Sequence, residues 1–214
     1  MPDLHFQVDD VVPTPNAAVP QLSFSVKVTN SEAGAIHSLA LRAQVQIEPV
    51  RRRYTPEEQQ RLKELFGEPE QWSKSLQPLL WTNINVNVPG FTGSTVLEIP
   101  VPCTFDFNVA MTKYAYGLEA GELPVSLLFS GTIFHATGGH GLQIAQIPWD
   151  RDASCRLPLR VWRELMDRYY PHSAWLCLQR DIFDRLYEFK VQNRIATWEK
   201  TLERMLDLAD GAKV

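Results

Sequence analysis

What most constrains this chain is an alternation of apolar and polar residues. A period of two suits a strand with one covered face and little else. The alternation is densest between Thr104 and His135, TFDFNVAMTKYAYGLEAGELPVSLLFSGTIFH. Phe105, Phe107, Val109 and Met111 share one side of the first half, and Val125, Leu127, Phe129 and Ile133 one side of the second. Gly121 stands in the break between them, so the stretch reads as a hairpin around which the rest is organised. Its apolar face is expected to lie under a helix at Leu157 to Tyr169 or under a second sheet. Leu128 and Phe134 interrupt the polar face, which implies partial cover there as well.

Upstream, Leu4, Phe6 and Val8 alternate before a Pro-rich connection, Val12-Pro-Thr-Pro-Asn16. Leu22, Phe24, Val26 and Val28 form a second strand, and Leu39, Leu41, Ala43, Val45 and Ile47 a third, three in a row predicting a largely antiparallel sheet. Ile84, Val86 and Val88, a turn at Pro89 to Gly93, and Thr95, Leu97, Ile99 and Val101 read as another hairpin. Pro100 and Pro102 remove two ladder donors, which places the returning strand at an edge or a sharp bend.

Two regions are helical by pattern. Thr55 and Glu58 have capping-box spacing, Pro56 takes the first helical position and Gly67 follows the last turn, so Pro56 to Phe66 is a helix inserted between strands. Gln71 to Leu76 can add another helical turn. A Gly-rich loop from Ala136 to Gly141 leads to a short apolar segment through Ile147 and an irregular stretch from Pro148 to Cys155, after which helical spacing takes over at Leu157. Val161, Trp162, Leu165, Met166 and Tyr169 lie on one face until Pro171. Ile182, Phe183, Leu186 and Phe189 form a later stripe, continued by Trp198, Leu202, Met205 and Leu206 after a restart at Thr197. Strands followed by helices predict an α+β class: one domain over 1–214, mainly β over 1–150 with the helix near 56–66, and helical over 151–214.

Charge and cysteine usage narrow the function classes. A formal charge of −4 argues against a nucleic-acid binder, which carries a basic face. Cys103, Cys155 and Cys177 form neither a CxxC pair nor a disulfide framework, so reduced thiols are expected. The acidic MPDLHFQVDD opening lacks the regions of a signal peptide, and no apolar run approaches the roughly 20 residues of a membrane span. A soluble cytoplasmic protein is therefore expected.

The segment LPLRVWRELMDRYYPHSAWLCLQRDIFDRLYEF resembles the C-terminal part of the SecB-type export chaperones. The matching positions are Pro158, Arg163, Glu164, Met166, Arg168, Pro171, Leu176, Leu178, Phe183, Asp184 and Leu186, and Gly131, Ile133 and Phe134 resemble the end of that family's long strands. The likeness spans the last half of the chain and implies a SecB-like sheet with C-terminal helices. The N-terminal strands, the Pro56 to Phe66 helix and the Arg-rich C-terminal part depart from that pattern, and they count against an export role. The whole chain, including FGEPEQW, PLLWT, VPGFTGST and VPCTFDF, also resembles a bacterial domain family of unknown function. That family's association with uptake NiFe-hydrogenase gene clusters implies an accessory role in assembly.

Chemistry-bearing residues are sparse. His135 and His140 flank a Gly-rich loop, with Asp150, Asp152 and Cys155 following, but the spacing matches no metal-ligand motif. Arg51-Arg52-Arg53 can bind an anion, although Glu57, Glu58 and Glu64 can neutralise it. No catalytic residue, cofactor or metal is assigned. The expected function is a non-enzymatic, chaperone-like protein-binding factor with a protein client, self-associating through its C-terminal helices. Trp162, Tyr169, Trp175, Trp198, Leu202 and Met205 are the candidate contact residues. The rivals are a metal-dependent hydrolase centred on His135 and His140, a carrier of an apolar small molecule, and a purely structural subunit.

Overall fold

The alternating segments do become strands, but the chain deals them between two sheets. A computed structural model describes residues 1–103, 109–137, 141–173, 176 and 178–211. Within them, β1 (Leu4–Pro13), β2 (Gln21–Asn30) and β5 (Ser94–Pro102) form an antiparallel sheet in the order β1-β2-β5. The second sheet has β4 (Leu79–Thr92), β3 (Ala35–Ile47), β6 (Glu122–Thr137) and β7 (Gly141–Gln146) in that order, and β8 (Asp152–Pro158) also pairs with β6. Helices α1 (Pro56–Phe66), α2 (Trp72–Ser75), α3 (Val109–Gly117), α4 (Leu159–Tyr169), α5 (Arg180–Gln192) and α6 (Trp198–Gly211) complete an α+β protein.

Two pairings differ from the sequence expectation. β3 does not extend the β1–β2 sheet: it sits between β4 and β6, and Asn30 to Gly34 carries the chain across. β4 and β5 are not a hairpin either, since β4 pairs with β3 and β5 with β2. Alternation reports which face of a strand is covered and carries nothing about its neighbour, so strands adjacent in sequence need not be paired. The proline-bearing strand β5 does lie at an edge, as the missing donors require.

The expected first arm of the central hairpin is also corrected. Thr104, Phe105, Asp106, Phe107 and Asn108 lie outside the described residues, and Val109 and Met111 belong to the helix α3. Met111, Tyr114, Ala115 and Leu118 are buried at spacings of three and four, the helical period. Four alternating residues are too few to outvote it. The stretch from Pro148 to Cys155 is likewise not all irregular, because Asp152 onward adds β8 to the sheet beside β6.

The core lies between the sheets. Leu22, Phe24, Val26, Val28, Ile99 and Val101 face Leu39, Leu41, Ala43, Val45, Ile47, Val125, Leu127 and Phe129. Phe6 of β1 stacks on Phe129 of β6 with centroids 4.1 Å apart, and Phe24 meets Trp81 edge-on at 6.3 Å. The inward residues expected for β2, β3 and β6 are the buried ones. Gly131, opposite Leu41, has φ +140°, and a Cβ there would stand 2.0 Å from the Ala40 carbonyl oxygen. Only glycine fits that point of β6.

Helix α1 begins as its sequence requires. The Thr55 hydroxyl accepts from the Glu58 N–H while Glu58 accepts from the Thr55 N–H, with Pro56 in the first turn and Gly67 after the last. Leu62 and Phe66 pack toward α3, where Gly117 lets the helices approach: a Cβ would lie 2.6 Å from Leu62 Cδ2. Helix α4 buries Leu159, Trp162, Leu165 and Met166.

Met1–Ser173 and Ala174–Val214 are two compact units. The second consists of α5 and α6. Phe183 and Tyr187 of α5 meet Trp198 of α6 with centroids 5.2 and 6.3 Å apart, and Lys190 Nζ lies 5.8 Å from the Trp198 ring. The restart at Thr197 is visible: its hydroxyl accepts from the Lys200 N–H, and its carbonyl from the Thr201 hydroxyl.

Phe129 is 2% exposed and its ring is the face-to-face partner of Phe6 across the sheets. Phe129→Ala is expected to cost about 3–5 kcal/mol. Chemical denaturation read by far-UV circular dichroism checks this, and an unchanged midpoint would show that the seam between the sheets does not carry the fold.

Candidate functional site

The densest polar chemistry in the first unit surrounds Arg52. The chain leaves β3 through a turn at Pro49–Arg51, and the Arg52 guanidinium then reaches Glu58 at 2.7 Å, the Ala120 carbonyl at 2.6 Å and the Glu122 carbonyl at 2.8 Å. Glu58, 2% exposed, also accepts from the Glu119 N–H at 2.8 Å. Burial alone would raise the Glu58 carboxyl. The N–H groups of Glu119 and Thr55 and the Arg52 guanidinium outweigh it and hold the group below its ordinary value of 4.5. Beside them the Tyr54 and Tyr114 hydroxyls lie 2.8 Å apart, and Tyr54 donates to the Pro49 carbonyl. Burial and the Tyr114 neighbour push Tyr54 far up, and burial takes Tyr114 to about 12. Both are neutral hydrogen-bonding groups at any physiological pH.

That arrangement joins α1 and the segment before β6. An anion site at Arg51-Arg52-Arg53 is not assembled, because Arg52 turns inward to three oxygens, those of Glu58, Ala120 and Glu122, and Arg51 donates to Ser154 Oγ at 3.1 Å. Among the described residues no group of three His, Cys, Asp or Glu side chains could hold a metal ion. His135 lies in β6 and is 9% exposed, lining a cleft of about 290 Å³ with Asn30, Glu32 and Ile36; His140 is outside the described residues. Cys103 and Cys155 are free thiols that burial pushes up to about 12, the reverse of what a nucleophile needs.

The aromatic contact residues divide. Trp162 is 1% exposed, edge-on to Tyr116 at 5.2 Å, so it is a core residue and not a contact residue. Its helical spacing was legible, its depth was not. Tyr169 is half-buried and donates to the Ala17 carbonyl at 2.6 Å, which ties the end of α4 to the β1–β2 connection. Trp175 is outside the described residues.

On the α5–α6 pair Trp198 meets Phe183 and Tyr187, and Leu202 and Met205 lie further along α6. Leu202 is 41% exposed, Met205 39%, Leu206 65% and Leu208 52%, and on α5 Ile182, Phe183, Tyr187 and Val191 are all exposed. Two helices of 13 and 14 residues offer each other one face and leave the rest open. A second exposed apolar set, Leu142 and Ile144 of β7, 57% and 66% exposed, lies in the short apolar segment that the sequence shows before Ile147. The alternation of GLQIAQ was there to be read.

Two consequences can be measured. Glu58 has a lowered native value, so its contribution is complete above about pH 4.5 and is lost as pH falls through that lower value. Glu58→Gln is expected to cost about 3 kcal/mol at pH 7 by leaving Arg52 without its carboxylate, with the gap to the parent closing as the pH drops below 4.5. Denaturation midpoints of both proteins from pH 7 to 3 check this. At pH 8 a thiol titrating near 12 holds roughly one thiolate in ten thousand. Peptide mapping after iodoacetamide should find Cys103 and Cys155 alkylated only once the protein is unfolded.

No helix among the described residues is long and apolar enough to cross a membrane. No curated protein matches the chain. Among solved structures it is similar to the CARDB domain of a Pyrococcus furiosus protein in complex with di-metal ions, at 12% identity and TM-score 0.30 over 73% of this chain and 92% of that one. A protein described as late embryogenesis abundant gives 15% identity and TM-score 0.33 over 74% and 73%. Part of a beta-glucosidase from Kluyveromyces marxianus gives 14% and 0.28 over 73% and 15%. Likenesses this weak carry no argument. The model of one family matches residues 1–214 from end to end, and the chain belongs to that family, the family of unknown function DUF6084.

Proposed function

We propose that this protein is a non-enzymatic, chaperone-like binding factor that meets a protein partner through the open face of α5 and α6. The observation that supports this most is the exposed apolar set of Ile182, Phe183, Leu202, Met205 and Leu206 on one helical pair. Extended apolar surface on a water-soluble chain costs free energy unless something covers it, and Phe, Met and Leu side chains are suited to an interface core. Lys190, Arg180, Arg185 and Arg204 on the same helices would give that interface a charged rim. The free thiols of Cys103 and Cys155 fit a reducing cytoplasm.

The finer terms of the proposal rest on sequence resemblance. A SecB-like mode of holding extended segments is suggested by the Pro158 to Phe189 pattern, and a place in hydrogenase assembly by the resemblance of the whole chain. A protein that holds partners without reacting with them needs no cofactor.

Capture from native lysate, followed by mass spectrometry, tests the proposal. The intact chain is expected to retain a defined partner, and the double variant Leu202→Asp, Met205→Asp to lose it while keeping its circular dichroism spectrum. Both positions are more than a third exposed, so the charges fall on the surface and not in the core. Equal recovery by both proteins would remove α5 and α6 from the function.

A further inference from the structure

The other exposed apolar set lies on a strand whose backbone is itself unfinished. β7 ends the order β4-β3-β6-β7, so among the described residues no strand lies on its outer side. The Ile147 N–H donates to the Gly131 carbonyl at 2.9 Å, and in the same register Ala145 faces Ile133 and Gln143 faces His135. In an antiparallel ladder bonding residues alternate, so Leu142, Ile144 and Gln146, which fall between them, direct both N–H and C=O away from β6. Their side chains are exposed, Leu142 and Ile144 among them, while on the other face Ala145 is buried and Gln143 exposed.

Natural sheets protect their edges, and the other edges here are protected. β1 carries Asp9, Asp10 and a register shift between Val8 and Asp10, β5 carries Glu98, Pro100 and Pro102, and β8 carries Asp152, Arg156 and Pro158. The exposed row of β4 is Asn83, Asn85 and Asn87, with Pro89 beyond. β7, GLQIAQ, has no charge, no proline and no register shift.

We infer that β7 is a self-pairing edge, where a second copy of this chain adds its own β7 antiparallel about a two-fold axis at Ile144. The occupant follows from symmetry. With Ile144 facing Ile144 of the partner subunit, Leu142 faces Gln146 of the partner subunit and Gln146 faces Leu142 of the partner subunit. Every outward-bonding residue then meets another, about six hydrogen bonds form, and the sheets of the two copies join edge to edge. Ile144 meets its own copy on the exposed face, and each Leu142 lies diagonal to it, within reach of apolar contact. A strand pair of this length buries less than roughly 1,200 Å², so the dimer is a concentration-dependent one. On this inference the second copy takes β7, and α5 and α6 stay open for the partner.

Sedimentation velocity on the full chain from about 5 to 500 µM tests this. The wild type is expected to move from its 24.4 kDa monomer to twice that mass, and Ile144→Lys to weaken the dimer at least tenfold. Ile144→Cys places two thiols on residues about 5.5 Å apart at Cα, within disulfide reach, and should cross-link on mild oxidation, while Val96→Cys on exposed β5 should not. A wild type that stays monomeric throughout overturns the inference, as does a dimer untouched by Ile144→Lys, or cross-linking of Val96→Cys as fast as of Ile144→Cys. A dimer that survives Ile144→Lys but is lost in Leu202→Asp, Met205→Asp would assign self-association to the helices instead. Loss of partner capture with the dimer intact would bear on α5 and α6 alone.

Discussion

Everything in the first unit depends on keeping two sheet faces dry against each other. The Phe6–Phe129 stack is where this is most direct, since each ring belongs to a different sheet. Around it the branched side chains of β2, β3 and β6 are fully buried, and the close approach at Gly131 lets β6 lie against β3 without a side chain between them. At about 25 cal/mol per Å² of apolar surface, closing such an interface is the dominant favourable contribution. The polar work of the fold is done at its margin. Arg52 and Glu58 satisfy backbone groups at Glu119, Ala120 and Glu122 that the turn into β6 would otherwise leave without protein partners.

Faces were legible in the sequence and neighbours were not. The inward sets of β2, β3 and the second arm of the central hairpin follow from parity alone, and α1 follows from Thr55, Pro56, Glu58 and Gly67, whose roles are local. Which strand pairs with which is decided by loop paths of several tens of residues, and nothing in the period-two signal encodes that. Val109 and Met111 show the opposite failure. A short alternating run overlapped a helical one, and the deeper burial of Met111, Tyr114 and Leu118 settled it.

For the candidate site the balance is similar. The spacing that put Trp162 with Trp198 and Met205 was real in each case, but spacing gives the face of a helix and not what lies over it. Trp162 turned out to be roofed by the fold, while Leu202 and Met205 are left open. The apolar residues of β7 read only as a short apolar segment, because six residues give a weak signal. An edge becomes visible only when the ladder on its other side is known.

That β5, and not β3, takes the second edge of β2 has a consequence for the chain as it is made. β2 pairs with β1 at once, but its other edge waits for β5, and everything from Ser31 to Gly93 must be synthesised first. At about 5–20 residues per second that interval is roughly 3–13 s, during which Leu22, Phe24, Val26 and Val28 belong to a two-stranded ribbon with an open edge and an uncovered face. The nascent chain therefore carries that ribbon, with one edge and one apolar face open to water, until β5 has been made.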